Sequence, residues 1–142
     1  MSNDFFIKLV LSAVLGLIMG WDRQRSGHPA GMRTYALVSM GSAVFTLLSI
    51  HGFPGEAESS RVAGQIVTGI GFLGAGIILH KPDKVVGLTT AAGVWVSSAV
   101  GMAVATNNYF LAIGATILTT LIFIFNDEYF EKKSGKGKKG KN

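Results

Sequence analysis

The sequence predicts an all-α fold, an integral membrane helical bundle of about five transmembrane helices with its N-terminus outside and its C-terminus cytoplasmic. Three observations predict it. Apolar residues make up 49% of the chain and charged residues 15%, where a soluble domain carries about 25% charged. The charges gather in short stretches, leaving five apolar runs, each near the ~17-residue minimum that crosses a bilayer. Lysine and arginine fall unequally on alternate connections between those runs. A chain of 142 residues is one domain by size, and the runs leave no room beside them for a soluble catalytic domain.

The first run, residues 5–21, carries Lys8 near its start and the pair Gly16-x-x-x-Gly20. It begins behind Asp4 with no Lys or Arg, and it ends in Gly20-Trp21-Asp22 rather than at a small-x-small site. It is therefore expected to stay as a span, not to leave as a signal peptide. The second run, 34–50, has a small-residue face of Ala36, Ser39, Ala43 and Thr46. The third, 62–79, holds four glycines in eight residues: Gly69, Gly71, Gly74 and Gly76. Along one of its faces lie Arg61, Gln65, Thr68 and Phe72. So much glycine suits a central helix contacted on several sides, or a local unwinding whose freed carbonyls line a site. The fourth run, 88–105, shows Thr90, Gly93, Ser97 and Gly101 on one face. The fifth, 109–125, shows Ala112, Ala115 and Thr119. Thr106-Asn107-Asn108 between the last two makes either a tight helical hairpin or an interruption in one long segment. Small faces let helix backbones approach closely in lipid, so these stripes predict a tight bundle and also permit a homo-oligomer.

Three arginines (Arg23, Arg25, Arg33), two lysines (Lys81, Lys84) and the six lysines from Lys132 to Lys141 place eleven basic residues on one side. Lys8 and Arg61 are on the other. The positive-inside rule makes the eleven cytoplasmic, and an odd number of spans separates the termini accordingly. Residues 1–126 are then the transmembrane domain, and 127–142 a disordered basic cytoplasmic tail able to bind anionic lipid. Six of the thirteen basic residues lie in the last eleven positions, so the net charge of +5 is a tail and no nucleic-acid surface.

With no cysteine, the chain offers no disulfide, thiol nucleophile or thiolate metal ligand. No ionisable residue falls in the middle third of a run, where proton relays and ion-coupled carriers usually keep one. Magnesium is held through carboxylates and retained water, and none lies deep enough to do so. A path lined by Gln65, Thr68 and Ser97 stays open. The dense polar stretch is residues 21–34, with Asp22 delivered toward the bundle by the Gly16/Gly20 face and paired with Arg23, Arg33 or another loop's cation. It is either a structural clamp or a functional site. His28, His51 and His80 sit at separate loop ends without metal-ligand spacing. No nucleophile motif, phosphate loop or metalloprotease helix occurs, so no enzymatic activity, metal or cofactor is expected. Trp21, Tyr35 and Tyr109 near run ends read as interfacial anchors.

Four segments in order resemble the MgtC/SapB family of bacterial membrane proteins. They are Gly16-x-x-x-Gly20-Trp21-Asp22-Arg23-Gln24; Ala30-Gly31-Met32-Arg33-Thr34 with Gly41-Ser42-Ala43; Arg61 through Gln65 to Gly76; and Gly87-Leu88-Thr89-Thr90 with Trp95. The resemblance covers about residues 5–125. It implies a non-enzymatic, multi-pass protein of the bacterial inner membrane, in a family linked to growth at low magnesium and to virulence. Some members restrain the F-type ATP synthase. Asp22 stands where the family usually has Glu, Thr89 where virulence-type members often have Asn, and Val86 where many have Arg. The chain resembles a short form, in which no counterpart of the longer members' soluble C-terminal domain follows. The expected function is magnesium homeostasis or stress adaptation by binding or regulating another membrane complex, such as the F-type ATP synthase. The alternative is a small magnesium or cation channel or transporter built around the third run. The candidate polar cluster is Asp22, Arg23, Gln24 and Arg33, continued into the bundle by Gln65 and Thr68 and joined by Thr89 and Thr90. The packing glycines are Gly16, Gly20, Gly69, Gly71, Gly74 and Gly76.

Overall fold

A computed structural model describes residues 2–52, 59–82 and 84–134. They form α1 (Ser2–Arg25), α2 (Met32–His51), α3 (Ser59–Ile77), β1 (Leu79–Lys81), β2 (Lys84–Val86), α4 (Leu88–Ala105) and α5 (Tyr109–Ser134). Helices α1, α2 and α4 are each long and apolar enough to cross a membrane, and α5 carries a shorter apolar stretch, Tyr109–Ile124. Large apolar side chains such as Phe6, Phe45, Phe110 and Ile122 point outward, the inside-out pattern of a bundle whose solvent is lipid. The chain is an all-α membrane helical bundle.

Two helix ends show why the chain reverses where it does. At the end of α1, Gly27 takes a left-handed φ of 67°. The Gly27 N–H then bonds the Gln24 carbonyl at 3.3 Å and the His28 N–H bonds that of Arg23 at 2.9 Å. This is the paired closure that ends helices at a left-handed glycine. At the end of α4 the same closure uses Asn107, with φ 63°. Its N–H reaches the Val104 carbonyl at 3.1 Å, and the Asn108 N–H reaches that of Ala103 at 2.8 Å. Asparagine tolerates the left-handed region better than other side chains, so Thr106-Asn107-Asn108 is the tight hairpin and not a break in one long segment.

The central helix is α4, which corrects the expectation for the third run. Thr90, Gly93, Val94, Ser97, Val100, Gly101 and Val104 are all buried. A Cβ on Gly101 would collide with the Ser39 carbonyl of α2. One on Gly16 of α1 would strike the backbone at Tyr35 and Ala36. These glycines let α1, α2 and α4 approach backbone to backbone. By contrast α3 is peripheral. Ile66, Ile70 and Gly74 are its buried positions, and Cβ atoms built on Gly69, Gly71 or Gly76 would meet nothing within 4 Å. Gly74 comes closest to packing, its Cβ position lying 3.8 Å from that of Ala91. The helix is also continuous from Ser59 to Ile77, so no unwound segment frees carbonyls there.

Two further differences concern the ends of runs. Leu79–Lys81 and Lys84–Val86, taken as a run end and a connection, form an antiparallel two-stranded ribbon pairing Leu79 with Val86 and Lys81 with Lys84. Helix α5 continues to Ser134, past the expected boundary at 126. The rest of the expected disordered tail, 135–142, lies outside the described residues.

At the opposite end of the bundle from the α1–α2 loop, Lys8 is 3% exposed. Its Nζ lies 3.2 Å from the Asp4 carboxylate and 3.4 Å from the Ala105 carbonyl. A cation at the last carbonyl of α4 is favourably placed against the helix dipole, so this side chain ties the start of α1 to the end of α4.

Candidate functional site

The last turn of α1 projects Asp22, Arg23 and Gln24 in three directions, and each makes a different connection. Arg23 turns inward and is 1% exposed. Its Nη2 donates to the Asp22 carboxylate at 2.6 Å and to the Phe123 carbonyl of α5 at 3.1 Å. Its Nη1 lies 3.1 Å from Nε2 of His28, which must accept because arginine only donates. The guanidinium carbon sits 4.2 Å above the Phe123 ring, within cation–π range. Burying a guanidinium is costly unless charge and donors are both answered. Here one carboxylate, one carbonyl, one imidazole and one aromatic face answer the charge and the two terminal nitrogens.

Phe123 passes the contact onward. Its ring meets the Tyr35 ring edge to face, with centroids 6.1 Å apart and planes at 88°. The Tyr35 hydroxyl donates to the Thr90 carbonyl at 3.1 Å, and Ser97 Oγ donates to the Tyr35 carbonyl at 2.8 Å. A side chain on Gly93 would strike both the Phe123 ring and the Tyr35 hydroxyl. Four helices therefore meet at one knot: Arg23 from α1, Tyr35 from α2, Thr90, Gly93 and Ser97 from α4, and Phe123 from α5. Tyr35 is fully buried and is not the interfacial anchor its position near a run end suggested. Trp21 keeps that character, 53% exposed with the Arg25 guanidinium 5.5 Å from its ring centre.

Gln24 and Arg33 lie on the outer side of the knot. The Gln24 Oε1 accepts from the Met32 N–H at 3.2 Å, the first free amide of α2. Gly31 at the N-cap supplies no side-chain cap, so a side chain from the preceding helix does so instead. A Cβ on Gly31 would press on Gln24 at 3.0 Å. Gln24, His28, Gly31, Arg33 and Thr34 together line an open polar cavity of about 380 Å³. Arg33 is exposed and makes no ion pair among the described residues, so Asp22 is answered by Arg23 and not by Arg33.

The candidate residues thus divide. Asp22, Arg23 and Thr90 come together at the knot, with Gln24 and Arg33 on its outer rim. Gln65 and Thr68 do not continue the cluster into the bundle. Both are exposed on the periphery, with Thr68 Oγ1 bonded to the Gly64 carbonyl of its own helix at 3.0 Å. Thr89 is exposed beside its buried neighbour Thr90. Phe123, Tyr35 and His28 are not among the site residues the sequence offers, and Ser97, expected to line a path with Gln65 and Thr68, is instead buried against the Tyr35 carbonyl. Ser97 shares a stripe with Thr90 and Gly93, and that spacing was the one available signal. Nothing local to Phe123, a hundred positions from Arg23, marks it as that residue's partner.

The MgtC family model matches residues 9–131. "Putative magnesium transporter YhiD" of Escherichia coli is 42% identical over 129 residues, covering 86% of this chain and 60% of that protein. Protein SrpB of Synechococcus elongatus is 39% identical over 127 residues, covering 80% of this chain and 70% of its own length. Protein MgtC of Salmonella typhimurium is 41% identical over 114 residues, covering 80% of this chain and 48% of its own. The chain thus spans about half to two thirds of the length of these relatives. No solved structure matches it. With the family model covering residues 9–131 and the polar knot at the α1–α2 junction inside that span, the chain belongs to the MgtC family.

Proposed function

We propose that this chain is a multi-pass protein of the bacterial inner membrane, N-terminus outside, that serves magnesium homeostasis by binding and regulating another membrane complex rather than by moving the ion or catalysing a reaction. The observation that carries the reading is the contrast between Arg23 and Arg33. Arg23 is spent inside the bundle, where it fixes α1 to α5. Arg33 makes no ion pair among the described residues and stands on the rim of the polar cavity, with Gln24, His28 and Thr34 around it. A rigid support under an exposed cationic rim suits capture of an acidic segment at the cytoplasmic face. Among the described residues no group of acidic side chains is placed to hold a magnesium ion, and α3 carries Gln65 and Thr68 at exposed positions rather than along an interior path.

Transport is the second reading, favoured by the printed name of YhiD. The two separate in one experiment pair. Arg33→Glu reverses the rim charge without touching the knot, so it is expected to abolish crosslinking to the partner complex and growth at low magnesium while leaving the melting temperature unchanged. The F-type ATP synthase is the first complex to test. Wild-type growth and partner capture by Arg33→Glu would overturn the regulatory reading.

A further inference from the structure

Helices α2 and α3 leave between them an open apolar groove of about 500 Å³, within the range of pockets that hold a ligand or a partner's side chain. Its walls are two rows at helical spacing, Leu37, Gly41 and Phe45 on α2 and Gln65, Gly69 and Leu73 on α3. Gly41 and Gly69 stand at the middle of the two rows. A Cβ at either position would meet nothing within 4 Å. Packing within one chain therefore asks for glycine at neither, unlike Gly16 or Gly101. Beside the groove, Phe72 is 82% exposed. It lies seven residues from Gln65, hence on the same helix face, with Thr68 between them. Gln65 makes no hydrogen bond among the described residues, and it sits about 9 Å into α3 from the start of the helix.

We propose that this face is an isologous interface with a second copy of the chain, the Phe72 ring of each copy entering the other's groove over Gly41 and Gly69 while the two Gln65 amides hydrogen-bond across the axis. Acyl chains can fill an apolar groove, but they cannot answer an amide held in hydrocarbon. A second copy can, because a primary amide is both donor and acceptor and all copies insert in one orientation. A two-fold axis along the membrane normal then brings Gln65 against its own counterpart, and knob and groove on one surface are complementary to themselves. Gln65, Thr68 and Phe72 form the seam at spacings of three and four, the pattern of paired parallel helices. Gly69 and Gly76, which the monomer leaves unused, fall beside this seam. The interface does not depend on whether the chain regulates a complex or carries an ion.

The chain has no cysteine, so Thr68→Cys introduces a single thiol on the seam while leaving Gln65 and Phe72 in place. Oxidation of membranes holding the full chain is expected to give a disulfide-linked dimer. Phe110→Cys, at a 95% exposed position on α5, should stay monomeric. Adding Gly69→Leu or Gln65→Leu to Thr68→Cys should cut the dimer at least fivefold, with the melting temperature of the purified protein held, since a side chain at Gly69 projects into open space. Thr68→Cys crosslinking no better than Phe110→Cys would overturn the interface. So would a dimer yield undiminished by Gly69→Leu, or a purified protein that is monomeric by mass in nanodiscs with phospholipid retained in the groove.

Discussion

Arg23 shows how much of this bundle hangs on one side chain. Its charge is shielded from water at the end of α1, and its partners come from the neighbouring residue, the loop and α5. Removing Asp22 takes away the carboxylate 2.6 Å from that buried charge, and truncating one partner of a buried pair typically costs about 3–5 kcal/mol. Asp22→Ala should therefore lower the melting temperature markedly, and Arg23→Ala should loosen α5 from α1 as read by faster amide exchange around Phe123. Arg23→Lys is expected to rescue little, because an ammonium cannot serve a carboxylate, a carbonyl and an imidazole in one plane. Wild-type stability of Arg23→Lys would show that charge alone holds the knot. The glycines divide on the same logic. Gly101→Ala drives a methyl into the Ser39 carbonyl, and overpacking of this kind costs about 1–3 kcal/mol or more. Gly69→Ala meets open space and gains helix propensity of about 0.5–1 kcal/mol. Equal melting temperatures for these two variants would contradict the close approach of α2 and α4.

Among the elements, the contrast between α3 and α4 is the most informative. Both are small-residue helices in the sequence, and glycine density pointed to α3 as the centre. Density measures how closely a backbone can be approached, not whether anything approaches it. What marks α4 is the combination of Gly93 and Gly101 with Thr90 and Ser97 on one face, where the Ser97 hydroxyl finds the Tyr35 carbonyl of α2 and the Thr90 carbonyl accepts from the Tyr35 hydroxyl. Hydrogen exchange should accordingly protect α4 more strongly than α3, and comparable protection would argue that α3 is held by more than Ile66, Ile70 and Gly74. Helix existence was legible because lipid forces backbone closure and leaves long apolar runs. The α4–α5 hairpin was legible from Thr106-Asn107-Asn108, whose second residue accepts a left-handed φ. The ribbon at 79–86 was not, since six paired residues around Pro82 carry too few alternating positions to stand out from a connection. Gln24→Ala tests a smaller junction. It removes the cap from α2, a loss of about 1 kcal/mol, and should fray residues 32–34 without disturbing Arg23.

At the scale of the molecule, four helices close on one polar knot near the α1–α2 loop, and Lys8 ties α1 to α4 at the far end. The residues of the knot and its rim drawn from one short stretch, Asp22, Arg23 and Gln24, were legible because charge and glycine pattern coincide there. Those supplied by tertiary contact, Phe123 and Tyr35, were not, because a phenylalanine or a tyrosine near the end of an apolar run looks the same whether it faces lipid or an arginine. Bound at both ends, the bundle has the character of a rigid platform, with its free polar groups at the Arg33 rim and its free apolar surface along α2 and α3. The proposed function is that a platform of that kind regulates by contact. Magnesium flux into liposomes holding the purified chain alone tests this most directly: the account predicts uptake no faster than in protein-free liposomes, and magnesium entry that Gly74→Leu abolishes in otherwise folded protein would contradict it.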